Sequence, residues 1–187
     1  GSNSDSTGMI RALVACKATN AAIGLIVDPA SAAKAHAAGE GSRVRLSLGG
    51  KSGVEGDTPY EAEFVVEKIS NGKVEATGPY YRGFKLDLGL SACLRIDGVR
   101  IVVASQKVQM ADQAMFRFVG IEPTEQDILV VKSAVHFRAD YTPIAREIIV
   151  ATAPGSMPMV LENLPWTQLK PGIRIDPCGK VFEPAMA

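Results

Sequence analysis

Arg43-Val44-Arg45-Leu46-Ser47-Leu48 alternates polar and apolar side chains strictly, and that period of two decides the fold class. A β-strand sends successive side chains to opposite faces, so Val44, Leu46 and Leu48 predict a strand with one buried face. Phe64-Val65-Val66 continues in strand-like composition. Asn71-Gly72 and Asp97-Gly98 read as two-residue hairpin turns, because Asn, Asp and Gly tolerate the positive φ that such turns demand. Ser42 to Ser105 is therefore expected to form an antiparallel meander.

Working outward, the period changes. Ser6 or Thr7 caps a helix through Met9, Ile10, Leu13 and Val14 towards Lys17, and Ala21 to Val27 reads as a buried strand. Pro29 opens an Ala-rich helix that ends near Gly39. On the other side, Asp112 to Val119 predicts a short helix and Ile128 to Val131 a buried strand. Ser133 then caps a short helix that Pro143 stops, and Ile148-Ile149-Val150 forms a last strand. Helices around a hairpin-rich sheet predict an α+β fold: a mixed, largely antiparallel sheet with hairpins in the middle third, flanked by short helices. A doubly wound parallel fold would separate its strands by helices rather than by two-residue turns. Residues 154–187 carry Pro154, Pro158, Pro165, Pro171, Pro177 and Pro184, too many for long regular elements, and are expected to wrap the surface of a single domain spanning 1–187.

Composition narrows the function. A chain of 187 residues with 47% hydrophobic content can bury a sizeable core, and the length suits one domain. Its 20 basic residues balance 20 acidic ones, so it has no electrostatic footprint for nucleic acid or an anionic membrane. No apolar run approaches the roughly 18 residues of a spanning helix. The start, Gly1 to Thr7, lacks the basic and apolar parts of a signal peptide, and its Gly-Ser also suits a cloning scar. Cys16, Cys93 and Cys178 are odd in number, far apart and outside any CxxC, which favours free thiols, with Cys16 and Cys93 in the core, and a cytoplasmic setting.

Chemistry concentrates in Val130-Val131-Lys132-Ser133-Ala134-Val135-His136-Phe137-Arg138, where an apolar run breaks into groups able to grip an anion. A strand feeding a helix N-terminus favours negative charge and disfavours protonated imidazole. His136 reads equally as a neutral donor or base and as a structural histidine tied to Asp140, four residues on. Lys132 and Arg138 read as donors to a carboxylate or an oxyanion, or as surface partners of Asp140 and Glu147. His36, on the Ala-rich helix, reads as solvated or packed. Gly49-Gly50-Lys51-Ser52-Gly53 suggests a phosphate loop, but the earlier Gly is missing (residue 45 is Arg) and no helix follows; an ordinary loop between Leu48 and Tyr60 is expected.

Several motifs together resemble the C-terminal domain of the microcystinase C (MlrC) family. They are Val131-Lys132-Ser133, His136-Phe137-Arg138-Ala139 and Pro143-Ile144-Ala145, with Gly49-Gly50-Lys51, Gly78-Pro79-Tyr80-Tyr81-Arg82-Gly83 and Leu86-Asp87-Leu88-Gly89. Ser105-Gln106-Lys107-Val108-Gln109, Phe116 and Gly120-Ile121-Glu122-Pro123 follow in order. Gly1 to Thr7 resembles the family's GxPGDGT turn, with Asn3-Ser4-Asp5-Ser6-Thr7 departing from it by one Pro and two Gly. The resemblance implies a zinc metallopeptidase whose metal ligands lie in an N-terminal domain absent from this chain, so that no metal is held here. It implies a small peptide substrate and the chain's own N-terminal domain as partners, with a homo-oligomer left open. On that reading His136 and Lys132 serve catalysis, and Ser133, Arg138, Asp5, Thr7 and Arg82 bind substrate. A non-catalytic accessory or dimerisation module is the alternative.

Overall fold

The computed structural model describes residues 4–152 and 161–183. Helix α1 (Gly8–Ala15) leads to strand β1 (Ala21–Val27) and helix α2 (Pro29–Ala38). Then come β2 (Arg43–Leu48), β3 (Tyr60–Ser70), β4 (Lys73–Glu75), β5 (Lys85–Asp87), β6 (Ser91–Ile96) and β7 (Val99–Ala104). Short helix α3 (Ala114–Arg117), β8 (Ile128–Val131) and α4 (Arg138–Tyr141) follow. Six strands form one sheet in the order β2-β3-β6-β7-β1-β8, and β4 and β5 form a separate ribbon. The β2–β3, β3–β6 and β6–β7 pairs are antiparallel, whereas β1 runs parallel to both β7 and β8. The fold is the expected α+β arrangement.

The alternation that opened the reading is carried through: Leu46 and Leu48 are buried and Arg43 and Arg45 exposed, with Val44 paired to Phe64. The sheet has two covered faces. Ile10 and Leu13 of α1 and Ala32 and Ala35 of α2 pack on Ile23, Phe64, Leu94 and Ile101. On the opposite face Met115, Phe116, Tyr141, Val74 and Leu88 cover Ala22, Leu25 and Val102. Full burial of an Ile, Leu or Phe side chain stabilises by about 1.5–3 kcal/mol, against roughly 0–1 kcal/mol for an exposed ion pair such as Arg43–Glu63, so the two cores hold the fold. Helix α2 starts as its sequence predicts: Asp28 accepts from the Ser31 N–H (3.2 Å), Pro29 occupies the first turn, and Gly39 closes the helix at φ 81°. His36 belongs to the packing, its Nε2 lying 3.1 Å from the Ser70 carbonyl and 3.0 Å from that of Ser91.

Five local expectations are corrected. Asn71-Gly72 closes no hairpin, because β3 pairs with β6 and β4 with β5; Gly72 is needed instead where the chain crosses Gly89, whose carbonyl lies 2.0 Å from where a Cβ would sit. Asp97-Gly98 does join β6 to β7 as a hairpin. Strand β8 is an edge strand rather than a buried one, with Ile128 40% exposed. Ile148-Ile149-Val150 is not a strand, and Ile149 is 81% exposed. Ser133 caps no helix: its hydroxyl accepts from the Phe137 N–H (3.3 Å) across a turn, and α4 begins only at Arg138, before a 3-10 turn that contains Pro143. Cys16 is exposed just after α1, while Cys93 is buried; all three cysteines are free.

Among the described residues no helix is long and apolar enough to cross a membrane. In residues 161–183 a 3-10 turn at Leu161–Asn163 and a bridge between Arg174 and Val181 are tied by internal bonds such as Phe182 N–H to the Ile173 carbonyl (2.8 Å). Pro154, Pro158 and Pro184 lie outside the described residues.

Candidate functional site

Parallel strands β7, β1 and β8 all finish on one side of the sheet, at Ala104, Val27 and Val131. The carboxyl ends of parallel strands are where open sheets leave a crevice for ligands. The turn Ser4 to Thr7, the loop from Gly49 to Pro59 and the segment after β8 converge on the same edge.

The first part of this edge is an interlock. Asp28, 3% exposed, accepts from the Gly49 N–H (3.0 Å), the Ser31 hydroxyl (2.7 Å) and the Lys51 ammonium (2.6 Å). Burial alone would raise its pKa, but the Lys51, Ser31 and Gly49 donors outweigh burial and hold the carboxyl below its usual range. Asp5, 7% exposed, accepts from the Lys51 N–H (2.8 Å) and the Ser52 hydroxyl, and it too is held down against burial by those bonds. The Thr7 N–H donates to Asp57 Oδ1 (3.1 Å), and the Thr7 hydroxyl is shared between that oxygen and the Thr58 carbonyl. Gly49 (φ 60°) and Gly50 (φ 61°) make this close approach feasible, since a Cβ on Gly50 would lie 2.3 Å from the Thr58 carbonyl carbon. The Gly-Gly-Lys motif is thus a turn stapled to two aspartates, not a phosphate cradle.

The second part opens outward. Lys132 follows β8, its N–H donating to the Gly24 carbonyl (2.8 Å) and its half-buried ammonium reaching the Ser6 hydroxyl. Burial lowers its pKa, in opposition to the Asp5 and Asp57 charges, which favour the protonated form. Lys132 lines an open depression of about 390 Å³ together with Ser4, Tyr81, Lys107, Val108 and Gln109. Gln109 Oε1 accepts from the Ser133 hydroxyl (2.8 Å) and pairs with His136 Nδ1 (3.0 Å), and the exposed His136 ring stacks on Tyr80 with centroids 4.1 Å apart. Tyr81 packs edge-on to Tyr80, and burial raises its phenol pKa.

The structure therefore brings Lys132, Ser133 and His136 together and sets the Asp5–Thr7 turn beside them through Ser6. Asp5 and Thr7 turn their polar atoms into the interlock. Arg138 lies over the Phe137 ring (5.3 Å), and Arg82 is exposed on the β4–β5 connection; neither lines the depression. The histidine is not tied to Asp140, because residues 134–137 form a turn and the four-residue spacing of a helix does not apply; Asp140 accepts instead from the Gln113 N–H (2.7 Å). Sequence reasoning passed over Gln109, Lys107 and Tyr81 as site residues, although all three fall inside motifs of the family resemblance. It also missed Asp28, which the Asp-Pro pair at a helix start could have signalled.

A metal does not suit this donor set. Asp28 is occupied by N–H, hydroxyl and ammonium donors and Asp5 by an N–H and a hydroxyl, and among the described residues no three His, Cys, Asp or Glu side chains gather as metal ligands.

The mixed sheet with its polar crevice at the parallel strand ends defines an α+β domain with a one-sided site. The family model described as MlrC C-terminus matches residues 1–168, and the chain belongs to that family. Microcystinase C from Sphingomonas sp. is 29% identical over 149 residues, covering 80% of this chain and 29% of that protein. A crystal structure from Mesorhizobium sp. BNC1 named "putative metallopeptidase" superposes with a TM-score of 0.79 at 28% identity, covering 90% of this chain and 34% of that one. The chain thus spans about a third or less of either relative.

Proposed function

We propose that this chain is the C-terminal domain of an MlrC-like metallopeptidase or amidohydrolase, working beside an N-terminal portion that carries the metal, zinc by family resemblance. Its strand-end edge closes over that metal site and helps to bind a small peptide. Lys132 and His136 act nearest the reacting bond, and Ser133 orients both Gln109 and the turn that holds His136. The observation that carries this reading is the position of Lys132: a half-buried ammonium on the wall of an open depression at the carboxyl ends of β7, β1 and β8. Burying part of a cation opposes stability, which favours a ligand-directed role for it there.

The test uses the protein with its N-terminal portion present. Lys132→Ala and His136→Ala should each cut peptide turnover by about 10²-fold or more, the usual effect of losing a preorganised donor. Unchanged turnover in both folded variants would refute the reading. One observation favours a second reading, an accessory or dimerisation module: Ile128 of edge strand β8 is 40% exposed, and Val135 in the segment after that strand is 59% exposed. Ile128→Lys disrupting assembly while Lys132→Ala leaves turnover intact would support that module instead.

A further inference from the structure

The chain has two histidines, and their partners place the ring proton on opposite nitrogens. His36 Nε2 lies 3.1 Å from the Ser70 carbonyl and 3.0 Å from the Ser91 carbonyl, and a carbonyl only accepts, so His36 carries its proton on Nε2. At His136 the acceptor meets the other nitrogen, with Gln109 Oε1 3.0 Å from Nδ1. That oxygen also takes the Ser133 hydroxyl at 2.8 Å, while the Ser133 oxygen accepts from the Phe137 N–H at 3.3 Å. Turning the Gln109 amide round would give the Ser133 oxygen two N–H donors and leave its own proton without an acceptor among the described residues. With Oε1 towards Ser133 and His136 every group is satisfied, and Nδ1 is the donor. The backbone holds this meeting in place: the N–H of fully buried Met110 donates to the Lys132 carbonyl (3.3 Å), tying residue 109 to the segment after β8. Tyr80 fixes the ring plane, stacking on His136 with 23° between the planes.

From these contacts we propose that Gln109 is a positioning residue for His136: it holds the imidazole with its proton on Nδ1, so that Nε2 keeps its lone pair as an acceptor on an exposed ring. The tautomer decides what the ring does. A histidine protonated on Nε2 offers a proton outward, whereas His136 held on Nδ1 receives one there. When Nε2 takes a proton from an attacking water, the electron pair of the broken O–H bond stays on the water oxygen and the Nδ1–H bond to Gln109 is untouched. The ring therefore needs no rearrangement, and the imidazolium keeps a polar partner. This deepens the functional reading and rests on it for the reaction; the tautomer itself is measured without any catalysis.

The experiment reads the imidazole rings of this chain by nitrogen NMR, at an alkaline pH where an ordinary histidine is neutral. The spectrum should show the two tautomers side by side, His36 protonated on Nε2 and His136 on Nδ1, assigned by the signals lost in His136→Ala. Gln109→Met, which keeps the length and removes the acceptor, should turn His136 predominantly to the Nε2 form. Gln109→Glu, whose carboxylate still accepts, should keep the Nδ1 form. His136 protonated on Nε2 in the wild type, or unchanged in a folded Gln109→Met, overturns the proposal; the wild-type spectrum decides even where that variant fails to fold. In the protein with its N-terminal portion, Gln109→Met should lower kcat for a peptide by about tenfold or more at unchanged KM, the direction expected of a histidine left in the wrong tautomer. Gln109→Glu should recover most of that loss, and equal losses in the two variants would count against positioning. If the spectra are as described but the wild-type protein cleaves no peptide, the positioning stands and the peptidase reading falls.

Discussion

Two neighbouring regions at one edge of the sheet use the same residue types to opposite ends. In the interlock, Asp5, Asp28, Thr7 and Lys51 meet each other and the backbone of Gly49 to Thr58, and their polar atoms are consumed by the fold. Around the depression, Ser133 and His136 meet at Gln109 Oε1, the His136 ring is exposed, and Lys132 and Gln109 line the open side. The first region is densely hydrogen-bonded within itself, and the Lys132–Ser6 contact joins it to the second. A carboxylate or lysine near a crevice is therefore no guide to function until its partners are known.

The largest stability effect should fall on the interlock. Gly50→Ala places a Cβ against the Thr58 backbone at positive φ and should cost on the order of 3 kcal/mol, read as a drop in the denaturation midpoint. Asp28→Asn removes the acceptor charge from Lys51 and Gly49 and should cost about 2 kcal/mol at neutral pH. Its sign is checked by pH. Asp5 and Asp28 are both held below their ordinary value of 3.8, so their stabilisation is complete above that value and is lost as pH falls through the lower folded-state values. Asp28→Asn should accordingly flatten the acid limb of the stability curve, and an unaltered limb would break the contrast between the regions.

The depression should behave in reverse. Lys132 is held below its ordinary 10.5, so folding disfavours its charged form at neutral pH, and that cost fades as pH rises through the folded-state value towards 10.5. Lys132→Met should leave the neutral-pH midpoint unchanged or raise it, with the difference disappearing above 10.5. The smallest shift belongs to His136→Ala, which removes an exposed ring stacked on Tyr80 and should move stability by under about 1 kcal/mol.

The parts of this architecture that rest on local pattern were legible in the sequence. The alternation at residues 43–48 marked β2, the Ala21 to Val27 run marked β1 with the bounds it has, and Pro29 with Gly39 bracketed α2. What local pattern does not carry is pairing. Nothing in residues 21–27 announces that β1 lies parallel to both β7 and β8, and Asn71-Gly72 has the composition of a hairpin while serving a chain crossing. The site divides in the same way. Lys132, Ser133 and His136 stand close in sequence and were readable as a cluster, whereas the partner that joins two of them, Gln109, is 24 residues from Ser133 and 27 from His136. The contacts of Asp5 and Thr7 are with a loop some 50 residues away, and nothing in the turn they belong to announces that pairing.

The most direct test of the contrast is a paired measurement on Lys132→Ala in the protein with its N-terminal portion present: peptide turnover and denaturation midpoint on the same preparation. A loss of about 10²-fold in turnover with a midpoint at or above wild type is the expected result. Wild-type turnover from a variant that unfolds early would contradict it, and would place Lys132 with Asp28 and Lys51 among the residues that hold the fold.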